Sequence, residues 1–356
     1  MHSSATLETI ARQFFPIDVW MSAIPIGSGN INDTYRIDFL SQNERHTWLL
    51  QRLNHRVFTD PDAVMRNISM VAKHLTAQPG FPLEIPEPVT GPDGRFLQRD
   101  ADGNFWRVFP FFEHTYAPER LPEPAVAGET AQAYGAFLRA LRGLDAGGLA
   151  ETIPGFHDTD RRWTVFQNTL EQDPAGRAST IRVEIEAMHR AQPVFEAVSR
   201  LKQRGALPTR VTHNDTKAGN VLLDTRTGRA VAVIDWDTLM PGTVLSDFGD
   251  MVRTFAPDGP EDSADAPALR LDALAALCEG FLRQTADFLC PEERENLPLG
   301  AQWIIGEQAL RFLTDYLAGD VYYKTQYPEH NLVRARNQLA LFEAVSAHLP
   351  FIAGLL

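Results

Sequence analysis

The sequence predicts an α+β chain in two lobes, a small β-rich lobe at the N-terminal end (residues 1–112) and a larger, mainly helical lobe after it (residues 113–356). Three observations lead there. Between residues 20 and 112, short apolar stretches are broken by Gly, Pro and Asp, with one helix-like segment among them. From Pro124 onward, apolar residues recur at helical spacing in segment after segment. Inside that helical half, Val221-Leu-Leu and Ala230-Val-Ala-Val-Ile234 flank Asp224-Thr-Arg-Thr-Gly-Arg229, which reads as a β-hairpin.

The elements follow in order. Residues 6–15 form a short amphipathic helix with Leu7, Ile10, Ala11 and Phe14 on one face. Ile24 to Asp38 reads as strand, Gly-x-Gly loop and strand, with Gly27 and Gly29 in the loop. Such a loop lets backbone N–H groups approach phosphates, although Gly-x-Gly between strands is more often a plain tight turn. Thr47–Leu53 is the next strand, offering Gln51 and Arg52. A helix runs from Pro61 to about Gln78, with Asp60 as N-cap and Pro61 in the first position. Residues 79–104 are turn-rich. Phe105–Phe112 is a strongly apolar strand leading to Glu113. Helices are expected from Pro124 to about Gly143, then over 163–172, 180–204, 268–287, 301–318 and 331–348. His157-Asp158-Thr159-Asp160 reads as a polar surface loop, and 257–267 as a flexible acidic one.

Composition bounds the function. The 356 residues suffice for two lobes and a large core, and 44% hydrophobic with 22% charged residues is ordinary for a globular protein. A net charge of −13 argues against a nucleic-acid partner. No run approaches the roughly 18 apolar residues of a membrane span, and the N-terminus lacks the apolar core of a signal peptide. The two cysteines, Cys278 and Cys290, have no companions at metal-ligand spacing, so a cytoplasmic, reducing setting is expected. A monomer or weak homodimer is expected.

The chemistry concentrates around the hairpin. His213-Asn-Asp215, Lys217 and Asn220 precede it, and Asp235 ends it. Singly, these are ordinary turn residues. Together they put one carboxylate where a hydroxyl proton can be accepted or oriented. An amide and a second carboxylate, Asn220 and Asp235, become hard oxygen ligands for magnesium on nucleotide phosphates. That is the equipment of phosphoryl transfer. Asp247-Phe-Gly249 spells a magnesium-binding triplet but lies too far past the hairpin. Asp247 is read instead as capping the next helix and bracing the catalytic loop.

The spacing His213-x-Asp215…Asn220 resembles the catalytic loop of protein kinases and aminoglycoside phosphotransferases. Arg210-Val-Thr-His-Asn-Asp-Thr-Lys217, Ile234-Asp-Trp-Asp-Thr-Leu-Met-Pro-Gly242, Asp247-Phe-Gly-Asp250 and Tyr327-Pro-Glu-His-Asn-Leu-Val-Arg334 are most similar to one branch. That branch is the N-acetylhexosamine 1-kinases, within the choline kinase-like and protein kinase-like superfamily. The resemblance implies the kinase-like two-lobed fold, ATP as phosphoryl donor, Mg2+, and a sugar phosphorylated at its anomeric hydroxyl. It implies that Gly27, Ser28, Gly29, Asn30, Asn32 and Gln51 meet the phosphates and that Phe111 and Glu113 meet the adenine. Asp215 and Lys217 would be catalytic, and Asn30, Asp215, Asp237, Arg311 and Tyr322 would meet the sugar. The strand Lys and helix Glu that grip inner phosphates in protein kinases are missing. An amine acceptor, as in choline or aminoglycoside kinases, and a catalytically dead nucleotide-binding protein are the rivals.

Overall fold

The computed structural model describes residues 2–27, 31–118 and 123–356. An antiparallel five-stranded sheet dominates the N-terminal part, in the order β1-β2-β3-β5-β4. Its strands are β1 (Val19–Pro25), β2 (Asp33–Ser41), β3 (Glu44–Leu53), β4 (Gln98–Arg99) and β5 (Phe105–Pro110). The first helix, α1 (Ser4–Ala11), covers one face of this sheet. Leu7, Ile10 and Ala11 pack there with Tyr35, Ile37, Phe39, Leu50, Trp106 and Val108. Because side chains alternate along a strand, Thr34, Arg36, Gln51 and Arg107 project from the opposite face. That polar face is turned toward the rest of the chain.

The α2 helix (Pro61–Thr76) begins as the sequence indicates. Asp60 accepts from the Ala63 N–H and Pro61 sits at the first position. Its apolar stripe of Val64, Ile68, Val71 and Leu75 joins the core of the helical part, not the core under α1. The expected 105–112 strand stops at Pro110, where Pro removes a ladder donor. A small three-stranded sheet, β6-β8-β9, holds the hairpin: β6 (Thr115–Tyr116), β8 (Val221–Asp224) and β9 (Ala230–Val233).

The helical part contains α3 (Pro124–Leu141), α4 (Thr159–Gln172), α5 (Arg182–Gln203), α6 (Val244–Phe255) and α7 (Leu271–Thr285). It continues through α8 (Pro291–Glu295), α9 (Leu297–Ala318), α10 (His330–Ala347) and α11 (Leu349–Leu355). A two-stranded pair, β7 (Arg210–Thr212) with β10 (Met240–Gly242), brackets the hairpin on both sides. Among the described residues no single helix is long and apolar enough to cross a membrane.

Two helix crossings are possible only with glycine. A Cβ at Gly249 of α6 would collide with the Gly300 carbonyl of α9, and one at Gly280 of α7 with the Gly128 carbonyl of α3. The first crossing fixes α6 against α9, and with it Asp247 of α6.

His157 to Asp160 is not the expected surface loop. Asp158 caps α4 by accepting from the Arg161 N–H. Thr159 is buried and donates to Glu307, and the Trp303 Nε1–H donates back to Thr159 at 2.6 Å. His157 Nδ1 lies 2.7 Å from the same carboxylate. Burial alone would raise the Glu307 pKa. The His157 charge and hydrogen bond, with Arg162, overcome it and hold the group at about 2. The segment is therefore a clamp between α4 and α9.

Candidate active site

The loop between β7 and β8 is set by its backbone. Asn214 adopts φ 62°, a left-handed conformation that Asn tolerates better than most residues. Its N–H and that of His213 both donate to the Asp247 carboxylate, at 2.8 and 2.9 Å. Asp247 thus braces the loop, but it does not cap α6. Thr243 stands at the N-cap position and Asp247 lies inside the first turn. Burial pushes Asp247 up to about 6, against the pull of those two N–H groups and of His213.

His213 is fully buried. Nε2 lies 3.0 Å from the Ile234 carbonyl and Nδ1 accepts the Asp215 N–H at 3.3 Å. A neutral ring with the proton on Nε2 satisfies both contacts. It staples the catalytic loop to the end of the hairpin, one residue before Asp235.

This arrangement brings together Asp215, Lys217, Asn220 and Asp235. Asp215 Oδ2 accepts from Lys217 Nζ at 2.7 Å and from Asn220 Nδ2 at 2.9 Å. Lys217 Nζ also lies 3.9 Å from Asp235 Oδ2. Burial would raise Asp215, but the Lys217 charge and hydrogen bond hold it below the usual carboxylate range. Lys217 is raised in turn: burial works against its charge, and Asp215 and Asp235 outweigh that. Asp235 differs from Asp215. The Asp235 side chain is 37% exposed, yet desolvation within the site, aided by the charges of Asp237 and Asp215, lifts it to about 6 despite Lys217. Its backbone is left-handed, φ 63°, which turns the chain sharply out of β9.

Asn220 and Asp235 are the pair able to hold a hard cation. Asn220 spends its Nδ2 on Asp215, and no described residue bonds its Oδ1. Among the described residues no cluster of three or more His, Cys, Asp or Glu forms a closed metal site. An open pair of oxygens suits magnesium, which keeps waters and phosphate oxygens as its other ligands.

The other expected residues fall as follows. Gly27 is exposed with φ 79°, and Ser28, Gly29 and Asn30 lie outside the described residues. Asn32 donates to Asp237 at 2.7 Å and accepts the Asn54 N–H at 2.9 Å. Gln51 accepts from Arg107 and donates to Thr34 at 2.9 Å. Phe111 lies under Arg36, whose guanidinium is 4.9 Å from the ring centre, and Glu113 is exposed. Tyr322 is 65% exposed, at a rim. Asp237, expected to meet the sugar, is 2% exposed: Oδ2 accepts from Arg107 Nη2 and Asn32 Nδ2, both at 2.7 Å, and Oδ1 lies 2.6 Å from Arg107 Nη1 as an ion pair without hydrogen-bond alignment. A buried guanidinium needs a counter-ion, and Asp237 is that counter-ion.

Arg311 of α9 stacks between aromatic faces, 5.4 Å from the Phe156 ring centre and 5.6 Å from Tyr323. Its Nη1 donates to Gln308 at 3.1 Å. Among the described residues no carboxylate lies within ion-pair distance of it. Its charge is felt by Arg162 and by Arg253, and Arg253 in turn feels Asp215. Residues 257–267 add to this side, since Glu261 pairs with Arg253 at 2.9 Å.

Sequence reasoning missed Arg107, Arg253 and Glu307. Arg107 sits in an apolar run, and its partner Asp237 is 130 residues away. The available signal was a single charge inside a strand otherwise free of charge.

Comparison with known proteins agrees with this geometry. The model of the phosphotransferase enzyme family, APH, matches residues 22–289. The fold resembles the microcompartment-associated aminopropanol kinase at TM-score 0.68, with 17% identity over 99% of each chain. It resembles an aminoglycoside phosphotransferase from Alicyclobacillus acidocaldarius subsp. acidocaldarius DSM 446 at TM-score 0.63, with 14% identity over 98% of this chain and 95% of that one. Aminoglycoside 2'-phosphotransferase-IIIa in its GDP complex matches at TM-score 0.62, with 12% identity over 96% of this chain and 99% of that one. The family match covers well over half of the sequence, and the chain belongs to the APH phosphotransferase enzyme family, with the kinase-like two-lobed fold.

Proposed function

We propose that this phosphotransferase moves the γ-phosphoryl group of ATP, in the presence of magnesium, to the anomeric hydroxyl of an N-acetylhexosamine such as GlcNAc or GalNAc. The observation that carries the acceptor half is Arg311. Among the described residues it has no carboxylate within ion-pair distance, and Phe156 and Tyr323 flank it. A positively charged amine would meet repulsion there. A sugar offers hydroxyl and carbonyl oxygens that a guanidinium can bind.

Asp215 has one committed oxygen, Oδ2, and one, Oδ1, that no described residue bonds. Oδ1 is the atom that receives the acceptor hydroxyl. Because Asp215 is held below the usual carboxylate range, it is a weak base. It orients the hydroxyl first and takes the proton late, as the forming P–O bond makes that proton acidic. Lys217 keeps Asp215 ionised and places a positive charge beside the phosphates. Asn220 and Asp235 would hold magnesium, which when bound neutralises charge on the transferred group.

The test is magnesium-dependent ATP consumption against free sugars, N-acetylhexosamines, aminoglycosides and choline, with the product checked for an acid-labile anomeric phosphate. Turnover on GlcNAc or GalNAc with that product is expected. Turnover confined to an amine acceptor overturns the sugar reading. Nucleotide binding without any turnover favours a non-catalytic binder.

A further inference from the structure

Among the described residues Arg107 is the largest charged side chain sealed inside the protein, at 1% exposure. Its fork is filled. Nε and Nη2 lie 2.9 and 2.5 Å from Gln51 Oε1, Nη2 also reaches Asp237 Oδ2, Nη1 reaches Asp237 Oδ1, and Nη1 touches Met65 Sδ at 3.7 Å. Each guanidinium nitrogen already has a protein partner. A buried ion pair is weak evidence for stability, because desolvation offsets most of its attraction. Its value must lie in what it fixes in space.

What it fixes is the turn that carries Asp235. Asp237 is two residues further on, in the single 3₁₀ turn Trp236–Thr238. That turn is held from four sides. Arg107 of β5 and Asn32, just ahead of β2, take the Asp237 carboxylate. Thr152 donates to the Asp237 carbonyl at 2.7 Å, and Asn67 of α2 donates to the Leu239 carbonyl at 2.8 Å. The five-stranded sheet and the hairpin exit are thus joined through one carboxylate. Gln51, on the strand where protein kinases place their phosphate-gripping Lys, is spent on orienting Arg107.

We propose that Arg107 and Asp237 are positioning residues: a buried strut, completed by Asn32 and Gln51, that sets where Asp235 stands relative to the five-stranded sheet and so sets the site for magnesium-bound nucleotide. The inference rests on the ATP and magnesium reading above. It assigns to geometry what the missing Lys–Glu clamp does by direct contact. Truncating one partner would leave a lone buried charge and unfold the region, so the decisive variant removes both charges.

In the double variant Arg107→Met/Asp237→Leu, the apolar pair fills the space and keeps the fold, as such replacements commonly do. The expected result is a melting temperature within a few degrees of wild type, at least about tenfold more magnesium for half-maximal turnover, and a KM for ATP raised more than kcat falls. A folded double variant with the wild-type magnesium requirement overturns the proposal. Should that variant fail to fold, Asn32→Ser decides: it cuts the link from the sheet edge to Asp237 and leaves the ion pair intact. A several-fold rise in the KM for ATP at unchanged melting temperature supports the strut, and an unchanged KM overturns it. Wild-type protein that binds nucleotide without any magnesium dependence would instead refute the underlying functional reading.

Discussion

Replacing Asp247 with Ala separates two consequences of burying a carboxylate under a catalytic loop. The side chain accepts the His213 and Asn214 N–H groups at 2.9 and 2.8 Å, and all three residues are buried. Removing the acceptor leaves two buried donors unpaired, at about 1–3 kcal/mol each. Against this stands the cost of keeping a buried anion. The Asp247 pKa is lifted from 3.8 to about 6, chiefly by burial, which corresponds to about 3 kcal/mol at pH 7 and offsets much of the gain. The two effects part with pH. A group whose folded pKa is raised gives its full stabilisation below the unfolded pKa and loses it as pH rises through the folded one. Between pH 8 and pH 5, wild type therefore gains about 1 kcal/mol from this group, a gain the variant lacks. Urea unfolding followed by tryptophan fluorescence at both pH values reads the difference. Destabilisation by Asp247→Ala is expected to be larger at pH 5 than at pH 8 by about that amount. Equal destabilisation at the two pH values, or more at pH 8, would show that Asp247 is not the buried acid described. A loosened loop also predicts a lower kcat, since the two N–H groups flank the approach to Asp215.

Asp215→Asn is expected to lower kcat by several orders of magnitude while nucleotide still binds by calorimetry; near-normal turnover would remove Asp215 from its role. Asp235→Ala should abolish the magnesium dependence of nucleotide binding, and an unchanged magnesium titration would refute the ligand assignment. Arg311→Met should raise the acceptor KM about tenfold or more with the ATP KM unchanged, whereas an unaffected acceptor KM would detach Arg311 from the sugar. Glu307 is held near 2 by His157 and Arg162 against its burial. A depressed carboxylate stabilises above its unfolded pKa of about 4.5 and loses that contribution as pH falls toward 2. Glu307→Gln should therefore cost about 3 kcal/mol at pH 7 and flatten the acid limb of the unfolding curve, and an acid limb identical to wild type would contradict the clamp.

What the sequence revealed and what it hid divide along a physical line. Local signals were legible. Asp60 with Pro61 marks the start of α2 because capping involves neighbours, and the two apolar runs of β8 and β9 mark the hairpin because a short Gly-containing turn joins them. Asp215, Lys217, Asn220 and Asp235 stand out because one loop and one hairpin contain them all. Asp247 was half legible. Its support of the loop was foreseen, but it was misplaced as a cap because α6 starts three residues earlier, behind Thr243. The hidden residues are those whose meaning lies in a distant partner. Arg107 reads as an oddity in an apolar strand until β3 sets Gln51 beside it and the hairpin exit delivers Asp237. Thr159 and His157 read as a polar loop until α9 presents Glu307. In each case the sequence contains a charge that burial would forbid if it were alone. The fold resolves the conflict by bringing a partner from 130 to 150 positions away. Arg311 differs from both, because the described fold supplies no carboxylate partner for it. Sealed cations with partners hold the site in shape. A cation left without one among the described residues is the feature on which the proposed sugar acceptor rests.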